Sequence, residues 1–445
     1  MRIYLLKGES YLKKERHELK IENIEIVELY NLYDYNIKFN EDITFLHGKN
    51  GCGKTTILNI ITYIITGRIY KLFSYEFKSI ILTYKYDNEN EKIIFNKKED
   101  NIEVLFKKEK VVIEKINSIE DNELMRIERK YRYSSEVEEA YFNKYPILET
   151  IKDLFDFVYI PLNRNDLADR ERIPLYRRYR YRRLIKENSG EPIYNVANII
   201  LENYAKIKSE ISGLGKVLQT DIVKAMYQYN ISDYESGIKL NKNAINKDID
   251  NFKKANLYDD ELGELIQSFY KKLIKSDDKK NQDDKELLEF VFNVSKVAQL
   301  NKINNVFNKY DEKVKELNEP ITKLETIVNR FFEDSAEKKK LMIKEDDIFF
   351  MTEHDNRRVE INDLSSGEKQ ILILFTYLVF DVATKQNPIF IIDEPELSLH
   401  LLWQKNFVNS VLETNPKMQL ILATHSPEII ANYRDKTYKV ELDMK

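Results

Sequence analysis

Gly48-Lys49-Asn50-Gly51-Cys52-Gly53-Lys54-Thr55 follows the apolar run Ile43-Thr44-Phe45-Leu46 and precedes a helix-compatible stretch, Thr55–Ile65. The octapeptide is a full match to G-x-x-x-x-G-K-[ST]. Its glycines let backbone amides converge on phosphate oxygens, and the helix behind it offers its positive end. A strand before the loop and a helix after it are the context this reading requires. Gly48, Asn50, Gly51, Gly53, Lys54, Thr55 and Thr56 are the expected nucleotide-binding residues. Lys54 would reach the β- and γ-phosphates and Thr55 would ligate Mg²⁺, so ATP and Mg²⁺ are the expected ligands.

Working outward, Pro388–Glu394 supplies a second half. Four apolar residues, Ile389–Ile392, carry Asp393 and Glu394 to the C-terminal end of a strand, where α/β sheets place their ligands. Asp393 can hold Mg²⁺, and Glu394 is then placed to polarise an attacking water. The plainer alternative is an acidic pair at a helix N-terminus. Leu364-Ser365-Ser366-Gly367-Glu368 has the spacing of a capping box between Ser365 and Glu368, so a helix starts there with free amides. Ser366 and Gly367 could receive a phosphate at close approach, or simply cap that helix. Glycine usage favours the former: of 11 glycines in the chain, Gly48, Gly51, Gly53 and Gly367 fall at these positions. His425 follows the apolar strand Gln419–Thr424 and precedes Ser426-Pro427-Glu428, a helix start. A histidine just past a strand end can donate a hydrogen bond to a γ-phosphate.

Between these halves the pattern changes. Residues 24–46 and 78–115 read as strands, as does Phe157-Val158-Tyr159-Ile160, stopped by Pro161. From about Ala168 to Phe332 helical periodicity takes over. Ile303, Phe307, Tyr310, Val314, Leu317, Ile321, Leu324, Val328 and Phe331 form a heptad seam. It fits either a coiled-coil-like arm or one face of a helical subdomain, and Pro320 within it predicts a kink or two abutting helices. Strands return after Ala336. The expected organisation is an α/β head in two parts, 1–165 and 336–445, split by a helical insertion at 166–335.

Composition bounds the rest. The 445 residues suit two or three domains at ~100–200 residues each. They are 42% hydrophobic, which is enough for a sizeable core and excludes wholesale disorder. A net charge of −4 confines any nucleic-acid footprint to a local patch. A single cysteine excludes a disulfide framework and suits a reducing compartment. The longest apolar run, Ile371–Phe380, is about half of what spans a bilayer, so a cytoplasmic protein without a membrane segment is expected. The five histidines (His17, His47, His354, His400, His425) are scattered without metal-ligand spacing, so no nuclease constellation is visible.

The P-loop, Leu364–Glu368, Ile391-Ile392-Asp393-Glu394-Pro395-Glu396-Leu397-Ser398-Leu399-His400 and Ala423-Thr424-His425-Ser426, in this order, resemble the ABC-type ATPases of the SMC, RecF and OLD group. The resemblance covers about 1–165 and 336–445. It implies an ABC-type P-loop head of α/β class that dimerises head-to-tail around ATP, forming a homodimer or higher oligomer. It also implies that Ser366 and Gly367 close the partner's site, that Glu394 is the general base and His425 the switch histidine. Leu397–His400 would be the segment between the two sites. The wording of the last two motifs is most similar to the predicted ATPases of prokaryotic phage-defence systems such as Septu (PtuA) and PARIS (AriA). Those work with a separate nuclease or Toprim-type effector.

Where that family has glutamine at the end of the strand preceding the insertion, this chain offers Asn163, the expected Mg²⁺- and water-contacting residue. The insertion is too short for long SMC-type arms. Eight of the 18 arginines lie within Arg164–Arg183, and the core Arg177–Arg183 interleaves tyrosines. Arg170–Arg183 suits nucleic acid, since guanidinium forks fit phosphates and tyrosines stack on bases, but also an acidic protein partner or a structural patch. The expected function is a sensor or scaffold ATPase of a defence complex that controls a separate effector. The alternative is a DNA-repair ATPase that clamps DNA directly. An ABC transporter subunit is disfavoured by the large insertion.

Overall fold

The alternating first quarter of the chain folds as β1 (Leu19–Leu29), β2 (Tyr33–Lys38), β3 (Ile43–His47), α1 (Lys54–Ile65), β4 (Ser79–Tyr86), β5 (Glu89–Lys97), β6 (Asn101–Phe106) and β7 (Glu109–Glu114). The computed structural model describes residues 19–87, 89–115, 135–155, 157–159, 192–227, 249–250, 252–253, 260–277, 284–335, 337–382, 388–441 and 443–444. After β7 come α2 (Ser135–Lys144), α3 (Pro146–Leu154), β8 (Phe157–Tyr159), α4 (Pro192–Tyr227), α5 (Asp260–Asp277) and α6 (Asp284–Glu333). The C-terminal part adds β9 (Lys339–Lys344), β10 (Asp347–Thr352), β11 (Arg358–Glu360), α7 (Ser366–Tyr377), β12 (Ile389–Asp393) and α8 (Leu401–Thr414). It closes with β13 (Gln419–Ala423), α9 (Pro427–Ile430), β14 (Thr437–Lys439) and β15 (Asp443–Met444). The chain divides into two compact units, Met1–Leu201 with Lys323–Lys445, and Glu202–Thr322.

The first unit is of α/β class, and its described residues form three sheets. One is antiparallel, in the order β15-β2-β1-β4-β5-β6-β7, and a small one runs β11-β10-β9. The third is parallel, in the order β14-β3-β13-β12-β8. The Ile/Leu/Phe runs of β12 and β13 are fully buried, as expected of strands covered on both faces. α1 is buried along nearly its whole apolar length, through Ile57, Leu58, Ile60, Ile61, Ile64 and Ile65. Phe331 and Phe332 at the end of α6 pack around Trp403 of α8, and Phe332 stacks on Phe350 of β10 at 4.8 Å.

Register decides what this sheet can do. Asp393 is level with Ala423, and Ala423 with Leu46, across three parallel strands. The loops after β3, β12 and β13 therefore leave one edge of the sheet side by side. A buried amide fixes the sheet to β1: Gln419 Oε1 accepts from Ile21 N–H at 2.8 Å, and Gln419 Nε2 donates to the carbonyls of Ile21 and Asn40 at 2.7 and 2.8 Å. Gln419→Leu leaves these groups buried without partners. It is expected to lower unfolding free energy by about 3 kcal/mol, read as a lower urea midpoint at unchanged slope.

In the second unit, Leu218 and Ala225 of α4 pack with Ile303 and Phe307 of α6, and Phe252 meets Phe307 edge-on at 5.2 Å. The start of the seam thus serves as an intrachain helical face. Of the two outcomes expected at Pro320, a pair of abutting helices does not occur: α6 runs as one helix from Asp284 to Glu333 with Pro320 inside it. An interior proline costs a helix roughly 3 kcal/mol. Packing that buries Ile321, Leu324, Ile327, Val328, Phe331 and Phe332 just beyond it offsets that cost.

Candidate nucleotide site

The P-loop leaves β3 at His47 and turns into α1 at Lys54. Two of its glycines are required by close approach. A Cβ on Gly48 would lie 2.6 Å from the Val440 carbonyl oxygen, and one on Gly53 would lie 2.7 Å from Tyr35 Oη. Gly53 also has φ 93°, in the left-handed region that favours glycine. Tyr35 Oη donates to the Cys52 carbonyl at 3.1 Å, so β2 props the loop from behind. Burial and the neighbouring Cys52 push the Tyr35 hydroxyl up to about 12, which keeps it a neutral donor. Cys52 itself is buried, its Sγ 4.0 Å from Lys54 Nζ. Lys54 is buried too, and its ammonium donates to the Gly48 and Lys49 carbonyls over the long distances of 3.3 and 3.4 Å. A buried cation held this loosely is ready for an anion.

Asp393 stands at the end of β12, beside this loop. Its carboxyl is raised above the ordinary carboxylate range, chiefly by burial, against which a hydrogen bond from the Thr55 hydroxyl acts. Asp393 Oδ1 is buried with no hydrogen-bond partner. An orphaned carboxylate oxygen next to a hydroxyl is a costly arrangement without a cation, and two hard oxygen donors suit Mg²⁺. The donor set fits the metal. Glu394 follows in a left-handed conformation (φ 47°, ψ 57°), with its N–H donating to the Ala423 carbonyl at 2.8 Å. That turn leaves its carboxylate 4.0 Å from His425 Nε2. Both side chains are about one-third exposed, 33% and 36%, so they line an open edge.

The structure thus brings together Gly48, Gly53, Lys54, Thr55, Asp393, Glu394 and His425. Thr56 lies on the first turn of α1, and Asn50 and Gly51 lie in the loop. Glu396 escaped sequence reasoning, because its partners are 28 and 29 positions away. Its Oε2 accepts from the Thr424 hydroxyl at 2.8 Å and its Oε1 from the His425 N–H at 2.5 Å. Asn163 and the arginine-rich stretch 164–183 lie outside the described residues.

Ser366 and Gly367 begin α7 behind a complete capping box: Ser365 Oγ accepts from Glu368 N–H, and Glu368 Oε2 accepts from Ser365 N–H. The other oxygen of Glu368 accepts from Lys339 Nζ at 2.9 Å, in an ion pair whose side chains are 5% and 10% exposed. Lys339, on β9, gave no local signal because its partner is 29 positions away. With the carboxylate satisfied on both sides, Ser366 stands exposed on the first turn of α7. Lys339→Met would strand the buried Glu368 charge. It should cost about 3–5 kcal/mol of stability, measured by chemical denaturation.

Among the described residues no group of three or more His, Cys, Asp and Glu side chains could hold a metal ion. No described helix is long and apolar enough to cross a membrane.

A family model described as "AAA domain, putative AbiEii toxin, Type IV TA system" (AAA_21) matches residues 43–431. Among curated relatives, the "Retron Vc95 probable ATPase" of Vibrio cholerae serotype O1 biovar El Tor is 34% identical over 102 residues, covering 20% of this chain and 19% of that protein. The "Retron Ec83 probable ATPase" of Escherichia coli is 34% identical over 92 residues, 18% of this chain and 16% of the relative. The matches therefore span less than a fifth of the length of either relative. Among solved structures, the Smc head domain of Pyrococcus furiosus aligns over 93% of this chain and 92% of its own at 14% identity, with a TM-score of 0.37. The recombination mediator protein RecF aligns over 96% and 98% at 13% identity, also with a TM-score of 0.37.

Proposed function

Because the chain belongs to the AAA_21 family of AAA domains, we propose that it binds ATP with Mg²⁺ at the shared edge of β3, β12 and β13 and hydrolyses it. One observation carries this reading: the unpartnered, buried Asp393 Oδ1 beside Thr55, with Lys54 loosely held and Glu394 paired to His425. The loop amides and Lys54 hold the triphosphate, and Thr55 with Asp393 holds Mg²⁺. Held there, the metal would supply neutralisation of the charge on the phosphates. Glu394 takes a proton from the attacking water, and His425 donates to the γ-phosphate. Ser366 and Gly367 serve the site of a second copy, pairing two heads around ATP, and hydrolysis removes those contacts.

In this reading the chain is the sensor or scaffold of a prokaryotic defence complex. The family description and the two retron ATPases support that role. A separate effector, a nuclease or Toprim-type protein, would do the damage. Co-expression with the products of flanking genes tests it. A second protein should copurify, and plaque numbers should fall only when Glu394 is intact. A chain that purifies alone and retains DNA in an ATP-dependent way would replace this role with that of a DNA clamp.

A further inference from the structure

Two loops that carry the proposed chemistry are joined by a closed set of hydrogen bonds. Glu396 accepts from the Thr424 hydroxyl and the His425 N–H. The Thr424 hydroxyl in turn accepts from Ser426 N–H at 3.0 Å. Ser426 Oγ donates to Gln404 Oε1 at 2.6 Å, and Gln404 Nε2 donates to the Leu399 carbonyl at 2.9 Å. Glu396 and Leu399 are the two ends of the exposed turn after Glu394, in which Leu397 is 73% exposed. The set therefore starts on the segment following Glu394, passes through the loop holding His425, and returns to that segment by way of α8. Each residue in it is hydrogen-bonded to the next, and such connected networks fix geometry.

We propose that Glu396, with Gln404, Thr424 and Ser426, forms a positioning relay that fixes His425 relative to Glu394 for hydrolysis. Resting on the nucleotide reading above, it assigns Glu396 a task that neither phosphate nor metal binding needs. Glu396 contacts the backbone N–H of His425 rather than its ring, so it acts through the loop. It also joins the two sides of the site: a displacement of the exposed turn by a second copy would reach His425 through these bonds.

The test compares kcat for ATP hydrolysis with ATP affinity in Glu396→Ala, Thr424→Val and Thr424→Ser, using Glu394→Gln as reference. The single tryptophan, Trp403, reports folding. Misplacing a reacting group by about 1 Å costs on the order of 100-fold. Glu396→Ala should lower kcat by roughly ten- to hundredfold, with ATP affinity unchanged. Thr424→Val, which removes one arm at a fully buried position, should lose part of that. Thr424→Ser, which keeps the hydroxyl, should keep the wild-type rate. If Glu396→Ala fails to fold, the Val/Ser pair decides. Equal rates in wild type, Glu396→Ala and Thr424→Val overturn the relay, as does a parallel loss of affinity and melting temperature. A wild-type chain that neither binds nor hydrolyses ATP overturns the nucleotide reading itself, and the relay with it.

Discussion

Glu394→Gln is expected to lower ATP turnover by roughly 10²–10⁴-fold while leaving ATP bound, the range that removal of a general base produces. The amide keeps the shape and the left-handed turn at φ 47° but cannot take a proton. The Ala423 carbonyl still accepts from the backbone N–H of residue 394, so the strand edge is undisturbed. Single-turnover hydrolysis alongside equilibrium ATP binding separates the two effects. A variant with weakened binding and ordinary turnover would assign Glu394 to the pocket wall instead.

Lys54→Ala is expected to act on the opposite quantity. Its ammonium is buried at the loop, and its carbonyl contacts at 3.3 and 3.4 Å are long for a charged donor. Exchanging them for phosphate oxygens strengthens each bond. Losing a buried charge partner costs about 2–5 kcal/mol, equivalent to roughly 30- to 5,000-fold in affinity. Titration with a fluorescent ATP analogue should show that loss, with melting temperature in the absence of nucleotide little changed. Tight binding by the variant would remove Lys54 from the site.

The difference between these residues and those sequence reading missed is one of distance along the chain. Gly48–Thr55 declares itself because loop, strand and helix are contiguous and because glycine is forced at Gly48 and Gly53 by the Val440 carbonyl and Tyr35 Oη. Asp393 and Glu394 are legible because four apolar residues lead to them. The capping box at Ser365 is local and is present. Lys339, Glu396 and Gln419 left no such mark. Each is a polar residue whose meaning comes from a partner 29, 28 or 398 positions away. The seam in α6 was legible as a helix, but its continuity through Pro320 was not. The burial of Ile321, Leu324, Ile327 and Val328 just beyond the proline, which offsets its cost, is a tertiary feature that periodicity does not show.

Nucleotide-gated pairing of two heads is the central claim, and native mass measured with ATP and Mg²⁺ tests it most directly. Glu394→Gln, which holds ATP, should pass from one chain to a two-chain species carrying two nucleotides. Adding Ser366→Arg at the exposed start of α7 should return it to one chain with ATP still bound. A Glu394→Gln chain that stays single with ATP bound, or pairs equally well without nucleotide, would contradict the account.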